Sequence, residues 1–189
     1  MEKYGVPAIV CINHFASDTE KETAYLSKWC EDNGYDYAYC SAFADGGKGA
    51  EALARGVMNI LNNKESHYHP LYDEKLPIKE KIEIICKEIY GAGEVVYTDA
   101  ANKQIEDYTK LGFDKTPICI AKTPHSLTDD PKVLGAPKGF TVTIREVRLS
   151  AGANFIVPLT GAIMTMPGLP KVPAAVKMED VPYDQKLDH

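Results

Sequence analysis

The chain has 189 residues, of which 44% are hydrophobic and 25% charged, and this suits one globular domain or one and a half. Its formal net charge of −6 argues against a general nucleic-acid-binding protein, which needs a basic surface for phosphates. The sequence has neither an apolar run of about 18 residues nor an apolar N-terminal segment of the signal-peptide kind, so we expect no membrane span and a cytoplasmic location.

The first part of the chain alternates strand and helix patterns. Its candidate elements are a strand at residues 6–11, a helix at 17–33, a strand at 35–42 and a helix at 50–61. Ser17 and Glu20 have the spacing of a capping box, which predicts that the first helix begins there. Strand, helix, strand, loop and helix in this order are typical of a parallel α/β sheet.

The second part continues with shorter elements. The candidates are a polar linker at residues 62–76, a helix at 77–90, a strand at 94–98, a helix at 105–112, a strand at 116–121 and a strand pattern at 140–149. Ile144 and Val147 have opposite parity within the last pattern, which predicts a β-bulge near Arg145 and Glu146.

We therefore predict an α/β fold with a partial parallel sheet flanked by helices, followed by a smaller α/β region with a strand-rich C-terminal part. The predicted segments are an α/β segment at residues 1–64, a helix–strand segment at 65–135, a strand-rich block at 136–176 and a polar tail at 177–189.

Two aromatic residues follow the two strands of the first segment. Phe15 and Phe43 lie just beyond the predicted carboxyl ends, which meet at one edge of a parallel sheet. Ligands bind at this edge in open α/β sheets. The alternative is that both rings are ordinary core residues that cap the sheet.

A glycine-rich segment follows Phe43 and opens the second helix. It contains Gly46, Gly47, Lys48 and Gly49, but it lacks the first glycine and the final Ser or Thr of a phosphate-binding P-loop. Its backbone N–H groups can still contact an anion or another ligand. The alternative is a plain tight turn.

Other polar and sulfur-containing residues give weaker signals. His67 and His69 share a face of an extended segment, but no third metal ligand is near them in the sequence, so we expect an exposed loop and no metal site. Glu146 lies between Arg145 and Arg148, which suits either a catalytic carboxylate or a solvated strand with ion pairs. The five cysteines include no C-x-x-C pair, and we expect reduced, buried thiols.

Several segments together resemble the C-terminal portion of the formate–tetrahydrofolate ligase family. They are Asn13-His14-Phe15 with Ser17-Asp18-Thr19, residues 43–49, Ala121-Lys122-Thr123 with residues 126–131, and the long blocks 140–161 and 164–175. They occur in the expected order and cover about residues 5–176. A resemblance of this length with several motifs is highly specific.

The resemblance implies an enzyme that joins formate to the N10 nitrogen of tetrahydrofolate with ATP and Mg²⁺. It implies that residues 1–64 form a wall in which Phe15 and Phe43 sandwich the pteridine ring, across a gap wide enough for a flat ring. The second aromatic of the family is usually tryptophan, so Phe43 should offer less stacking area. The catalytic residues stay unassigned, and the family suggests a homo-oligomer.

The family's phosphate loop is upstream of all the matching segments, so we expect this chain alone to be inactive. The partners then are the small molecules tetrahydrofolate, formate and ATP, together with either further copies of the chain or a missing N-terminal part. Two alternatives stay open. The chain is a non-catalytic folate-binding or subunit-interaction module that works with a separate ATP-binding chain, or it is a gene fragment without a function of its own.

Overall fold

The computed structural model describes residues 1–161, and it divides the chain into two compact units, Met1–Asp73 and Glu74–His189. The predicted tail at 177–189 and the end of the block at 136–176 lie outside the described residues. The fold is α/β, as predicted, with a parallel sheet and flanking helices followed by a strand-rich sheet.

The first unit contains two parallel strands and three helices. The strands are β1 (Ile9–Asn13) and β2 (Asp36–Cys40), and the helices are α1 (Glu20–Asp32), α2 (Ala42–Asp45) and α3 (Glu51–Asn63). A 3₁₀ turn, Gly46–Ala50, joins α2 to α3. The predicted parallel pairing is confirmed, with β1 beginning at Ile9, after the Pro7 that has no N–H group for a ladder.

The predicted start of α1 is wrong by two residues. Its N-cap is Thr19 instead of Ser17, and the capping box is completed by Glu22 instead of Glu20. Both pairs fit the same sequence pattern, but Asp18 is bound within a preceding turn through the Phe15 N–H group. The helix can therefore begin only after that turn.

Close packing of α3 on the sheet depends on one glycine. A Cβ atom at Gly56 would lie 2.4 Å from Ile9 Cδ1, so no larger residue fits without a shift of that side chain. The buried apolar residues of this unit are Ile12, Cys30, Ala38, Cys40 and Ile60. The small contact residue lets the helix backbone approach the strands closely.

The predicted linker begins inside α3, which extends to Asn63, and its remaining residues, 64–76, contain no helix or strand. The N-terminal segment holds this stretch by backbone hydrogen bonds. The His67 N–H group donates to Gly5 O at 2.9 Å, and the His69 N–H group donates to Tyr4 O at 3.1 Å. Gly5 has a φ of 65°, and a Cβ atom there would lie 2.3 Å from His67 O. Only glycine adopts this positive φ readily and also has no Cβ atom to collide with the carbonyl oxygen.

As far as residue 161, the second unit contains two α-helices and a three-stranded sheet. The helices are α4 (Ile78–Ile85), continued by a π turn at Cys86–Tyr90, and α5 (Asp99–Lys110), and the strands are β3 (Glu94–Tyr97), β4 (Thr141–Ser150) and β5 (Phe155–Thr160). β4 pairs with β3 in parallel and with β5 antiparallel. The register shifts between Ile144 and Glu146, which confirms the predicted bulge.

Residues 116–121 do not form the continuous strand that we predicted. They make two isolated parallel bridges to β5, at Ile118 and Ala121. The flanking ladder bonds are present, because Cys119 N donates to Ile156 O at 2.9 Å and Ala121 N donates to Pro158 O at 2.8 Å. Pro158 has no N–H group to return the intermediate bond, so the ladder is interrupted there.

A fully buried lysine ties two loops of this unit to α4. Lys81 Nζ donates to Asp114 O at 2.6 Å, Thr116 O at 2.9 Å and Glu74 O at 3.2 Å. Burial lowers the pKa of Lys81. Sequence reasoning missed this residue, although its spacing from Ile78 and Ile85 places it on the apolar face of the helix.

Candidate functional site

The two strands of the first unit end side by side and bring Phe15 and Phe43 together. Asn13, the last residue of β1, is the register partner of Cys40, the last residue of β2. The His14 N–H group extends the ladder by donating to Cys40 O at 2.9 Å. Each aromatic residue follows its strand within three positions, so both are at the carboxyl edge of the sheet.

The two rings are exposed and in contact with each other. Their centroids lie 5.5 Å apart with an interplanar angle of 52°, and the side chains are 41% exposed for Phe15 and 82% for Phe43. A flat ring stacked between them needs about 7 Å, twice the ordinary carbon–carbon contact distance. The gap that we expected is therefore absent, and the two rings are in tilted contact instead, an arrangement that aromatic pairs favour.

Phe15 is held at the start of a tight turn that an aspartate closes. The Phe15 N–H group donates to Asp18 Oδ2 at 2.8 Å, and the Asp18 N–H group donates to Phe15 O at 3.0 Å. The capping box at Thr19 follows immediately, with Thr19 N donating to Glu22 Oε2 at 2.9 Å and Glu22 N to Thr19 Oγ1 at 3.3 Å. The turn and the start of α1 thus form one continuous hydrogen-bonded segment.

Phe43 is carried by the single turn of α2, which a serine and an aspartate close. The Ala44 and Asp45 N–H groups donate to Ser41 O at 3.0 and 2.9 Å. Ser41 Oγ donates to Asp45 Oδ2 at 2.7 Å. A helix of four residues has little stability of its own, so these local bonds define its geometry.

The glycine-rich segment is a 3₁₀ turn that returns the chain to the end of β2. Gly46 has φ 60° and ψ −143°, a conformation open almost only to glycine. Gly49 O accepts from Ser41 N at 3.0 Å, and a Cβ atom at Gly49 would lie 2.6 Å from the carbonyl carbon of Ser41. Gly47 and Lys48 are exposed beside Phe43, so all four predicted loop residues lie in one turn after this ring.

His14 also belongs to this edge, although sequence reasoning assigned it no role. Its ring lies 5.7 Å from the Tyr39 ring with an interplanar angle of 44°. The side chain is half-buried between the end of β1 and the exposed Phe15. The sequence does indicate this position, because His14 lies in the segment Asn13-His14-Phe15 directly after a predicted strand.

The other candidates from the sequence are exposed or make local contacts of their own. His67 and His69 are exposed, and no group of three or more His, Cys, Asp or Glu side chains among residues 1–161 is arranged to hold a metal ion. Glu146 forms an ion pair with Arg148 at 2.9 Å, and this hydrogen bond lowers the pKa of Glu146. Cys11 and Cys119 are exposed free thiols, which corrects the expectation that all five are buried.

The chain as a whole matches one protein family. The sequence model of the family described as formate–tetrahydrofolate ligase matches residues 1–187 of the 189. Within residues 1–161, no helix is both long and apolar enough to cross a bilayer.

Proposed function

The chain belongs to the formate–tetrahydrofolate ligase family, and on that premise we propose that it binds tetrahydrofolate at the carboxyl edge of its first sheet. The pteridine ring inserts between Phe15 and Phe43. The observation that carries this proposal is the exposed pair of rings in contact at 5.5 Å, at the edge where α/β sheets bind ligands. A flat heteroaromatic ring suits a site between two aromatic faces.

Binding in this proposal opens the ring pair. The rings must move from tilted contact to roughly parallel planes about 7 Å apart. Phe43 is the more exposed ring and lies on the short helix α2, so we assign most of the motion to its side chain. The ligand then replaces the contact between the rings with two ring–ligand contacts, each worth about 1 kcal/mol beyond area burial.

The glycine-rich turn supplies further contacts in this proposal. Gly46, Gly47, Lys48 and Gly49 follow Phe43 directly, and Lys48 is exposed. Its ammonium group suits a carboxylate of the glutamyl part of the substrate, and exposed backbone N–H groups suit a carbonyl or an anion. Two negative side chains near this edge, Asp18 and Asp45, are engaged in the turns that hold the rings.

We further propose that these 189 residues serve the folate part of the family's reaction, which joins formate to N10 of tetrahydrofolate at the expense of ATP. The sequence contains no Gly-x-x-x-x-Gly-Lys-Ser/Thr pattern, the loop that cradles the phosphates of ATP in P-loop proteins. ATP-dependent turnover in this proposal needs residues outside this sequence. The same observation favours a second candidate, a folate-binding module that works with a separate ATP-binding chain.

Calorimetric titration of the purified chain with tetrahydrofolate under anaerobic conditions tests the proposal. Loss of one stacking contact of about 1 kcal/mol predicts about fivefold weaker binding for Phe15→Ala and for Phe43→Ala. Phe155→Ala is the matched control, because Phe155 is as exposed as Phe15 and lies in the second unit. No measurable binding, or unchanged affinity in both site variants, would contradict the assignment.

A turnover assay of the same preparation tests what both candidates share, the need for residues outside this sequence in ATP-dependent turnover. We expect no formate- and tetrahydrofolate-dependent ATP hydrolysis by the chain alone. Turnover above background in a preparation free of other ligases would contradict this expectation and would leave the tetrahydrofolate site itself untouched.

A further inference from the structure

We propose that Asp18 and Asp45 are positioning residues for the tetrahydrofolate site, each closing the turn that presents one of the two aromatic rings. The inference rests on the proposed function, and it assigns roles to side chains that do not touch the substrate. In each of the two turns, the aspartate carboxylate accepts a hydrogen bond from the residue three or four positions earlier.

The first turn depends on a reciprocal pair of bonds. Asp18 Oδ2 accepts from the Phe15 N–H group at 2.8 Å, and Phe15 O accepts from the Asp18 N–H group at 3.0 Å. A bond to a carboxylate is stronger than one between neutral groups. The two bonds restrain the backbone on both sides of the Phe15 Cα atom. The position and direction of the side chain's first bond are therefore fixed.

The second turn depends on Ser41 as well as on Asp45. Ser41 Oγ donates to Asp45 Oδ2 at 2.7 Å, while Ser41 N donates to Gly49 O at 3.0 Å. Phe43 lies inside the loop closed by these bonds, and its own side chain is 82% exposed. Since few packing contacts hold the ring, the backbone of the turn determines its position.

Fixed turns matter because the site has to open without losing its alignment. The rings must separate by rotation about their side-chain torsions while their Cα atoms stay opposed. A loose turn adds conformational freedom that binding must remove, and this weakens affinity. The two aspartates therefore act by pre-organising the ring pair.

Four single variants and one double variant test the inference with two readouts. The first readout is the nuclear Overhauser contact between the Phe15 and Phe43 ring protons, which needs no ligand. The second is the dissociation constant for tetrahydrofolate. Circular dichroism shows whether each variant is folded, and Asp107→Ala, on the exposed surface of α5, is the control.

For Asp18→Ala, we expect loss of the ring–ring contact and about threefold to tenfold weaker binding, the factor that corresponds to one hydrogen bond. Asp18→Asn should stay within about twofold of the native chain, because its amide oxygen accepts from the same N–H group. A carboxylate that contacted the substrate by its charge would lose affinity in both variants. Equal losses in the two would overturn the positioning role.

For the second turn, we expect Ser41→Ala and Asp45→Ala to weaken binding by similar factors, and the double variant to be no weaker than either. Additive losses would overturn the assignment of this pair.

Native ring contact and native affinity in Asp18→Ala, while Phe15→Ala loses affinity, would overturn the inference and leave the proposed function standing. If the native chain fails to bind tetrahydrofolate, the proposed function fails, and the ring–ring contact alone decides whether the aspartates position the rings.

Discussion

Phe15 and Phe43 meet at a centroid separation of 5.5 Å and an angle of 52°, although a complete helix and a strand separate them in the sequence. They meet because Asn13 and Cys40, the last residues of two parallel strands, are register partners. The contact is a closed arrangement of two exposed rings. In the proposed site, a flat ligand must replace this ring–ring contact, so we expect its affinity to depend on the area that each ring offers.

A larger second ring should therefore tighten the site. We expect Phe43→Trp to bind tetrahydrofolate about threefold to fivefold more strongly, because indole adds stacking area worth up to about 1 kcal/mol. Calorimetric titration measures the change, and Phe155→Trp makes the same substitution on β5 as a control. Weaker binding by Phe43→Trp would show that the turn has no room for the indole.

The glycines of the 3₁₀ turn should differ sharply in their tolerance of alanine. Gly46→Ala should lower the free energy of unfolding by about 1–3 kcal/mol, because its backbone conformation is open almost only to glycine. Gly49→Ala should also destabilise, since its Cβ atom would lie 2.6 Å from Ser41 C. Gly47→Ala is the matched control and should change stability by less than about 0.5 kcal/mol.

Urea unfolding followed by circular dichroism measures these three variants. A Cβ atom at Gly47 meets no other atom within 4 Å, and its φ is not positive, so the control differs from Gly46 in backbone conformation. Equal stabilities of all three would mean that the turn adapts to side chains at no energetic cost.

The capping box at the start of α1 gives a test of Thr19 against Ser17. Thr19→Ala should lower the free energy of unfolding by about 1 kcal/mol, because the Glu22 N–H group loses its acceptor. Ser17→Ala should have almost no effect, since Ser17 lies outside the helix and is exposed. Unfolding curves of the two variants measure these changes in free energy. A larger loss of stability in Ser17→Ala than in Thr19→Ala would contradict the observed cap.

Glu22 makes the same cap dependent on pH. The hydrogen bond from the Thr19 N–H group lowers the pKa of Glu22 below its ordinary value of 4.5. The folded state therefore binds this proton less tightly than the unfolded state, and the stabilisation is present above pH 4.5 and lost as the pH falls through the lower, folded pKa. Glu22→Gln should lose this part of the acid dependence, and an unchanged acid profile would contradict the assignment.

Lys81 should matter to the stability of the second unit in spite of the cost of burying its charge. Lys81→Met should lower the free energy of unfolding by about 2 kcal/mol, because Thr116 O, which is buried, loses its ammonium donor. The exposed Lys103→Met on α5 is the control. Chemical unfolding measures both, and a Lys81→Met variant as stable as the native chain would show that desolvation of the charge cancels its three hydrogen bonds.

Much of the fold could be predicted from local patterns. The order of strands and helices in the first unit follows from alternating apolar runs, and the bulge at Arg145 and Glu146 follows from a change of parity. Errors occurred where two local solutions compete. Thr19 and Ser17 fit the same capping pattern, and only the bond between Phe15 N and Asp18 Oδ2 excludes the earlier start.

The sequence by itself determined that Phe15 and Phe43 lie at one edge, because each follows a strand of the same parallel pair. Only the tertiary structure decided that the rings touch, since ring separation depends on strand register and on the turns at Asp18 and Asp45. It also decided that Pro158 interrupts a ladder with residues 116–121 and that Lys81 is buried. A local pattern specifies the conformation of a segment, whereas contacts between distant segments depend on which partners the folded chain brings within reach.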